Sequence, residues 1–341
     1  MGKQSEFALL QAGFDRVRGE LAKCLVGCDS LIEQLMISLL AGGHCLLEAP
    51  PGTAKTLATA SFARVTGLSF DQVRSTPDLT PKDLIGLGAQ PKNNLETPGP
   101  IFANLVMVAD LERLSPRSDA LIQQAIQEQQ VVLEGRRHAL PDPFMVVATQ
   151  YPVHDGHVNR AARTIADEYH DDRFMLKIKI AYPDEADEFQ LAMSMSAPSQ
   201  EPLEQVLGID ELRKFRTLVR EVEAPPEIVN YILRLVRSTR IHEGETPDFI
   251  YEWVDFGAGP RATHHLTLAA KARAALYGRE HIGVEDVRSI AHPILRHRII
   301  TNRNAASTGV TVDRVIKRLL YEIGESGDEI GESGDHEGGG I

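Results

Sequence analysis

An apolar run, Leu46-Leu47-Glu48-Ala49, breaks at Pro50-Pro51-Gly52 and re-enters a helix through Thr53-Ala54-Lys55-Thr56-Leu57. This order of strand, tight turn and helix start constrains the fold more than any other stretch. Successive backbone N–H groups and a helix N-terminus converge on one spot there, so a polyphosphate finds donors and a favourable dipole with few charged side chains. Lys55 is placed to reach outer phosphates, and the Thr56 hydroxyl to ligate Mg²⁺. The match to G-x-x-x-x-G-K-[ST] is incomplete. Ala49 stands at the first glycine and Ala54 at the second, leaving Gly52 as the residue free to take positive φ. The competing reading is an ordinary strand-turn-helix junction with a surface lysine.

The rest of the chain is long enough, at 341 residues with 43% hydrophobic, to give two domains a core each. A formal charge of −12, from 36 basic and 48 acidic residues, argues against a protein whose main work is coating nucleic acid. Cys24, Cys28 and Cys45 form neither a C-x-x-C pair nor a zinc-spaced set with histidines, so free thiols in a reducing compartment are expected. No secretory leader pattern is present, and the apolar stretch Leu35 to Leu47 is interrupted by Gly42-Gly43-His44. The expectation is a cytoplasmic protein without a membrane span.

Apolar residues at helical spacing open the chain (Leu10, Phe14, Val17, Leu21, Leu25), and a second helix spans Leu31 to Leu40 before the Gly42-Gly43 stop. Strands are expected at Cys45 to Glu48, Ser69 to Arg74, Leu105 to Ala109, Phe144 to Ala148 and Met175 to Ile180. The run Leu105-Val106-Met107-Val108-Ala109 is apolar on both faces, as a buried parallel strand must be, and it delivers Asp110 to the carboxyl edge where open α/β sheets hold ligands. A helix N-cap is the plainer role for Asp110. Arg136, Arg137 and His138 fall at a hairpin and read as a solvated basic turn. From Pro183 the pattern is helical, with segments 184–196, 209–221, 226–239, 260–276, 284–297 and 310–321, and no buried strand is expected there. Residues 1–185 are thus read as an α/β nucleotide-binding domain and 186–322 as a smaller all-α lid. The remainder, 323–341, is read as a disordered acidic tail because Glu-Ile-Gly-Glu-Ser-Gly-Asp occurs twice from Glu322 before a glycine run.

With these pieces in order the chain resembles the MoxR family of AAA+ ATPases over residues 7 to 321. The resemblance rests on Leu39-Leu40-Ala41-Gly42-Gly43-His44, Thr76-Pro77-Asp78-Leu79 and Gly99-Pro100-Ile101-Phe102-Ala103-Asn104. It continues through Ala148-Thr149-Gln150, Asp172-Arg173-Phe174, Gly257-Ala258-Gly259-Pro260-Arg261-Ala262 and Leu295-Arg296-His297-Arg298. The family implies a P-loop domain with a central parallel sheet flanked by helices and a helical lid. It further implies a homo-oligomer in the form of a hexameric ring with ATP and Mg²⁺ at subunit interfaces, and chaperone-like work on protein clients, often with a von Willebrand factor A domain partner. Carried over, Pro51 to Leu57 hold the nucleotide, Lys55 and Thr56 are the Walker A pair, and Asp110 is the Walker B carboxylate beside the metal. Arg173 matches the arginine finger of a neighbouring subunit, and Arg261 matches sensor 2. Val26-Gly27 matches the segment lying against adenine, although Cys28 stands where the family usually has glutamine.

Two departures touch the chemistry. The family glutamate after the Walker B aspartate is Leu111 here, with Glu112 one residue later, and the sensor 1 asparagine is Tyr151. Leucine can neither accept a proton nor align water. Neighbouring side chains of an extended strand point to opposite faces, which sets Glu112 against a simple replacement unless the chain turns after Asp110. The expectation is a remodelling ATPase with weakened hydrolysis. The alternatives are a nucleotide-locked scaffold, an arginine-finger donor in a mixed hexamer, and, with less support, a DNA-directed AAA+ machine. His154-Asp155-Gly156-His157 is a weak metal candidate.

Overall fold

The computed structural model describes residues 2–86, 98–133, 135–152, 171–195, 202–241, 243 and 246–328. It divides into two compact units, one of residues 1–222 with 271–280 and one of 223–270 with 281–341. This division falls later than the boundary read from composition near residue 185, because the helix 209–220 counts with the first unit.

The first unit is built on a five-stranded sheet. Its strands are β1 (Cys45–Glu48), β2 (Phe70–Arg74), β3 (Leu105–Ala109), β6 (Met145–Gln150) and β7 (Leu176–Lys179), all parallel in the order β2-β3-β6-β1-β7. A hairpin of β4 (Gln130–Leu133) and β5 (Arg136–Ala139) stands apart from it. Arg136, Arg137 and His138 therefore lie on a strand rather than in the turn. The interior strands are apolar because both faces are covered: Leu105 to Val108 and Met145 to Ala148 are buried throughout. Helices α1 (Lys3–Leu21), α2 (Asp29–Ala41) and α3 (Lys55–Val65) supply Phe7, Phe14, Leu35 and Phe62 to the buried interior. Helix α4 (Pro81–Ile85) and helix α5 (Pro116–Glu128) pack Leu84, Ile85, Leu121 and Ile122 onto one sheet face with Val106, Val108 and Val146. Strand positions are pinned by buried Asn104, whose side chain accepts from the Ser69 hydroxyl (2.8 Å) and donates to the Pro143 carbonyl (2.7 Å). Helices α6 (Glu185–Met195) and α7 (Ile209–Arg220) complete this unit.

The register decides where chemistry can sit. Glu48 pairs with Gln150 and Lys179, Val108 pairs with Ala148, and Arg74 pairs with Ala109, so the carboxyl ends of all five strands share one edge. The phosphate loop leaves β1 on that edge, and Asp110 leaves β3 there.

The second unit is mainly helical, with α8 (Pro226–Arg237), α9 (Asp248–Trp253), the first part of α10 (Pro260–Leu276), α11 (Val284–Leu295), α12 (Arg303–Ser307) and α13 (Val312–Asp328). It also holds a short two-stranded antiparallel ribbon, β8 (Val254–Phe256) with β9 (Ile300–Thr301), of which Val254 and Thr301 are buried. The tail departs from the expectation. Helix α13 runs past residue 322 through the first copy of the repeat to Asp328, because Ile323 extends the apolar face of Val315, Ile316 and Leu319 and is buried. The second copy lies outside the described residues. Cys24, Cys28 and Cys45 are free thiols, and among the described residues no helix is long and apolar enough to cross a membrane.

Candidate functional site

At the edge where β1 ends, Gly52 has φ 83° and Ala54 has φ 53°, so the loop uses two left-handed residues where the sequence offers one glycine. Helix α3 then starts at Lys55. The Thr53 hydroxyl donates to the Pro50 carbonyl at 2.8 Å and closes the turn. Lys55 folds back over the loop: its Nζ donates to the carbonyls of Ala49 (3.1 Å) and Pro50 (2.8 Å). Burial lowers its pKa, and the charges of Asp110 and Glu112 oppose that shift. Thr56 and Leu57 are exposed on the first turn of α3.

The opposing influence of Asp110 and Glu112 on Lys55 traces to the backbone after β3. Asp110 is left-handed (φ 57°, ψ 60°), a region aspartate tolerates better than most residues, and Leu111 to Arg113 form a single 3₁₀ turn. The Asp110 N–H donates to the Thr149 hydroxyl at 3.1 Å, which ties this reversal to the end of β6. Leu111 packs against the core beneath, and Glu112 is exposed. Alternation along a strand, which set Glu112 against the site, does not apply once the strand has ended at Ala109. Tyr151, next along from β6, is 49% exposed and its ring centre lies 5.9 Å from the Lys55 Nζ.

Hard divalent cations take oxygen ligands, and Mg²⁺ commonly binds through one or two protein oxygens together with substrate phosphates. The Thr56 hydroxyl and the Asp110 carboxylate fit that donor set. Among the described residues no group of three or more His, Cys, Asp and Glu side chains is arranged for a metal, and His154 and His157 lie outside those residues.

The remaining candidates are placed differently. Gly27 has φ 68°, and a Cβ added to it would fall 2.1 Å from a carboxylate oxygen of Asp187, so Val26-Gly27 passes tightly against α6. Arg261 is exposed in the first turn of α10, in the second unit. Arg173, expected to complete the site of a neighbouring subunit, is 3% exposed in the single chain and pairs with Asp119 at 2.7 Å. Asp119 carried no signal in the sequence, being one more polar residue on an amphipathic helix.

Comparisons with known proteins give the family and the fold. Residues 44–176 match the model of the ATPase family associated with various cellular activities (AAA), and residues 252–319 match the AAA lid domain. Chaperone MoxR1 of Mycobacterium tuberculosis is 32% identical over 315 residues, 91% of this chain and 81% of that protein. This chain belongs to the MoxR family of AAA+ ATPases. The protein MoxR of Methylorubrum extorquens is 27% identical over 307 residues, 83% of this chain and 86% of its own. A crystal structure of a candidate ATPase from Cytophaga hutchinsonii superposes with a TM-score of 0.84 at 29% identity, covering 93% of this chain and 96% of its own. As a MoxR-family protein the chain carries the family's nucleotide-binding fold.

Proposed function

We propose that this MoxR-family chain binds Mg·ATP on Pro51 to Leu57 and hydrolyses it slowly, with Glu112 in the place of the usual catalytic glutamate. The observation that carries the reading is the left-handed Asp110, which follows the end of the strand and starts a turn in which Leu111 packs against the core and Glu112 is exposed. In this reading Lys55 leaves the loop carbonyls for the outer phosphates, Thr56 and Asp110 hold the metal, and Glu112 aligns the attacking water. Phosphoryl transfer depends mainly on positioning and charge, so a base displaced by one residue and a tyrosine in place of sensor 1 asparagine make turnover slow rather than absent. Val26, Gly27 and Arg261 are assigned to the adenine side and the lid by family resemblance. The ring is read as a homohexamer in the cytoplasm, remodelling a protein client with a von Willebrand factor A domain partner. The chaperone named among the relatives supports the remodelling role, and the ring, compartment and partner are carried over from the family resemblance.

Steady-state phosphate release from Mg·ATP, measured beside titration with a fluorescent ATP analogue, tests the reading. Glu112→Gln should lower turnover by about 100-fold or more and keep nucleotide affinity, whereas Lys55→Ala should lose affinity. A Glu112→Gln protein that turns over normally defeats the assignment. A second reading, a nucleotide-locked scaffold, draws on Leu111 being committed to the core and Tyr151 standing over Lys55; tight binding with no turnover in the unmodified protein selects it.

A further inference from the structure

The turn that precedes α10 is fastened by two side chains from the segment that follows α8, all within the second unit. Ala258 is fully buried, so its N–H and C=O need partners inside the protein. Side chains meet both. Thr239, also fully buried, accepts the Ala258 N–H at 2.8 Å and donates its hydroxyl to the Val236 carbonyl, in the last turn of α8, at 2.6 Å. The Arg240 Nε donates to the Ala258 carbonyl at 2.8 Å, and the NH1 nitrogen of the same guanidinium lies 2.8 Å from Glu243. The Arg240 carbonyl in turn accepts the Thr246 hydroxyl at 2.8 Å. The two segments run very close. A Cβ added to Gly257 would fall 2.2 Å from the Thr239 carbonyl oxygen, so only glycine lets the chain leave β8 at this distance.

This fastened turn delivers Arg261. Pro260 starts α10, where its fixed φ suits the first helical position, and the Ala262 N–H donates to the Gly259 carbonyl at 3.0 Å. Ala262 and Leu266 are fully buried, whereas Arg261 is exposed. Ala258 and Ala262 therefore pin the backbone on either side of Arg261 and set the direction in which its guanidinium leaves the helix. A guanidinium recognises phosphate through parallel N–H bonds of defined geometry, so a loose backbone beneath it weakens the contact.

We propose that Thr239 and Arg240 are positioning residues for Arg261, holding the Ala258 peptide so that α10 presents the guanidinium to the nucleotide in one orientation. In this role both act through the backbone, without touching ATP. The proposal rests on the assignment of Arg261 to the nucleotide made above from the family resemblance.

A double-variant cycle read by titration with the fluorescent ATP analogue and by phosphate release tests it. Arg261→Ala should raise the dissociation constant about 10-fold, the loss of one charge-assisted contact. Thr239→Val and Arg240→Gln should each raise it about three- to tenfold. Neither should weaken binding further when combined with Arg261→Ala, because the guanidinium they orient is already gone. Thr239→Ser, which keeps the hydroxyl, should bind like the parent. Arg240→Lys, which keeps the charge but cannot span both acceptors, should fall between parent and Arg240→Gln. Where Arg261→Ala acts on kcat rather than on affinity, the same cycle is scored on kcat. A loss that multiplies with that of Arg261→Ala would show that the turn supports the second unit at large, and would overturn the proposal. So would parental values in Thr239→Val or Arg240→Gln beside an impaired Arg261→Ala. Parental affinity and turnover in Arg261→Ala itself would remove the assignment of Arg261, and the proposal with it. Far-UV circular dichroism and thermal melting establish that each variant is folded; should buried Thr239→Val fail to fold, Arg240→Gln, at a side chain 19% exposed, decides.

Discussion

The Lys55 ammonium lies 5.9 Å from the centre of the Tyr151 ring while donating to two loop carbonyls. The lysine is thus held in place before any phosphate arrives, and nucleotide must draw it away. A cation over an exposed aromatic face is worth about 0.5–1 kcal/mol. Tyr151→Ala removes that contribution from the nucleotide-free state only, so the dissociation constant for the fluorescent ATP analogue should fall about two- to fivefold. Weaker binding by the variant would mean that Tyr151 contacts the nucleotide itself.

Leu111 stands where the family resemblance implies the catalytic glutamate, and restoring glutamate looks like a repair. The structure predicts the opposite. Leu111 packs against the buried cluster of Val106, Leu121 and their neighbours, and a carboxylate placed there loses hydration without a partner. Leu111→Glu should cost about 1–3 kcal/mol in urea unfolding and leave phosphate release no faster than in the parent. A gain in rate without loss of stability would show that the turn is free to rotate position 111 outward.

Ala54 adopts φ 53° in the phosphate loop. For a residue with a Cβ this region costs about 1–2 kcal/mol. Ala54→Gly relieves the clash but adds freedom to the unfolded chain, which returns part of the gain. The net expectation is a rise in melting temperature of about 2 °C, read by calorimetry. A fall would show that the loop gains nothing from glycine at this position.

How far the sequence spoke for the fold differs between elements for physical reasons. Leu105 to Ala109 were readable because a strand covered on both faces has no polar position to spare, and Pro260 to Leu276 because a proline start and helical spacing agree. The ribbon Val254–Phe256 with Ile300–Thr301 was not, since two or three residues cannot display a period of two. Ile323 sat at helical spacing from Leu319, but two glycines in the repeat outweighed it in a reading of local propensity; its burial supplies what propensity lacks. At the site, Lys55, Thr56 and Asp110 follow from motif and strand edge. The turn at Asp110 does not, because one aspartate in a left-handed conformation leaves no mark in the sequence beyond being an aspartate. The Arg173–Asp119 pair joins residues distant along the chain, and only the fold shows that the arginine faces inward. A lysine inside the apolar strand Leu176-Lys177-Ile178 was the visible sign that an acidic partner had to be close, and Glu48 lies 3.1 Å from its Nζ.

His44 supplies the pH dependence. It is 4% exposed, and its Nδ1 accepts the Val146 N–H at 2.9 Å, which requires that nitrogen to be unprotonated. Burial, with a smaller contribution from the charge of Arg216, lowers its pKa from 6.5 to about 4, against a hydrogen bond with the Ile126 backbone. As pH falls through 6.5 the unfolded chain takes up a proton that the native state refuses until about 4, so stability declines as pH drops across that window and is fully present above it. At roughly 1.4 kcal/mol per pH unit the loss attributable to His44 approaches about 3 kcal/mol. His44→Gln keeps an acceptor but cannot titrate. The variant should be less stable than the parent at pH 7.5 in urea unfolding, and the gap should close toward pH 4.5, because only the parent loses this contribution. A gap that stays constant with pH would assign the acid sensitivity to other groups.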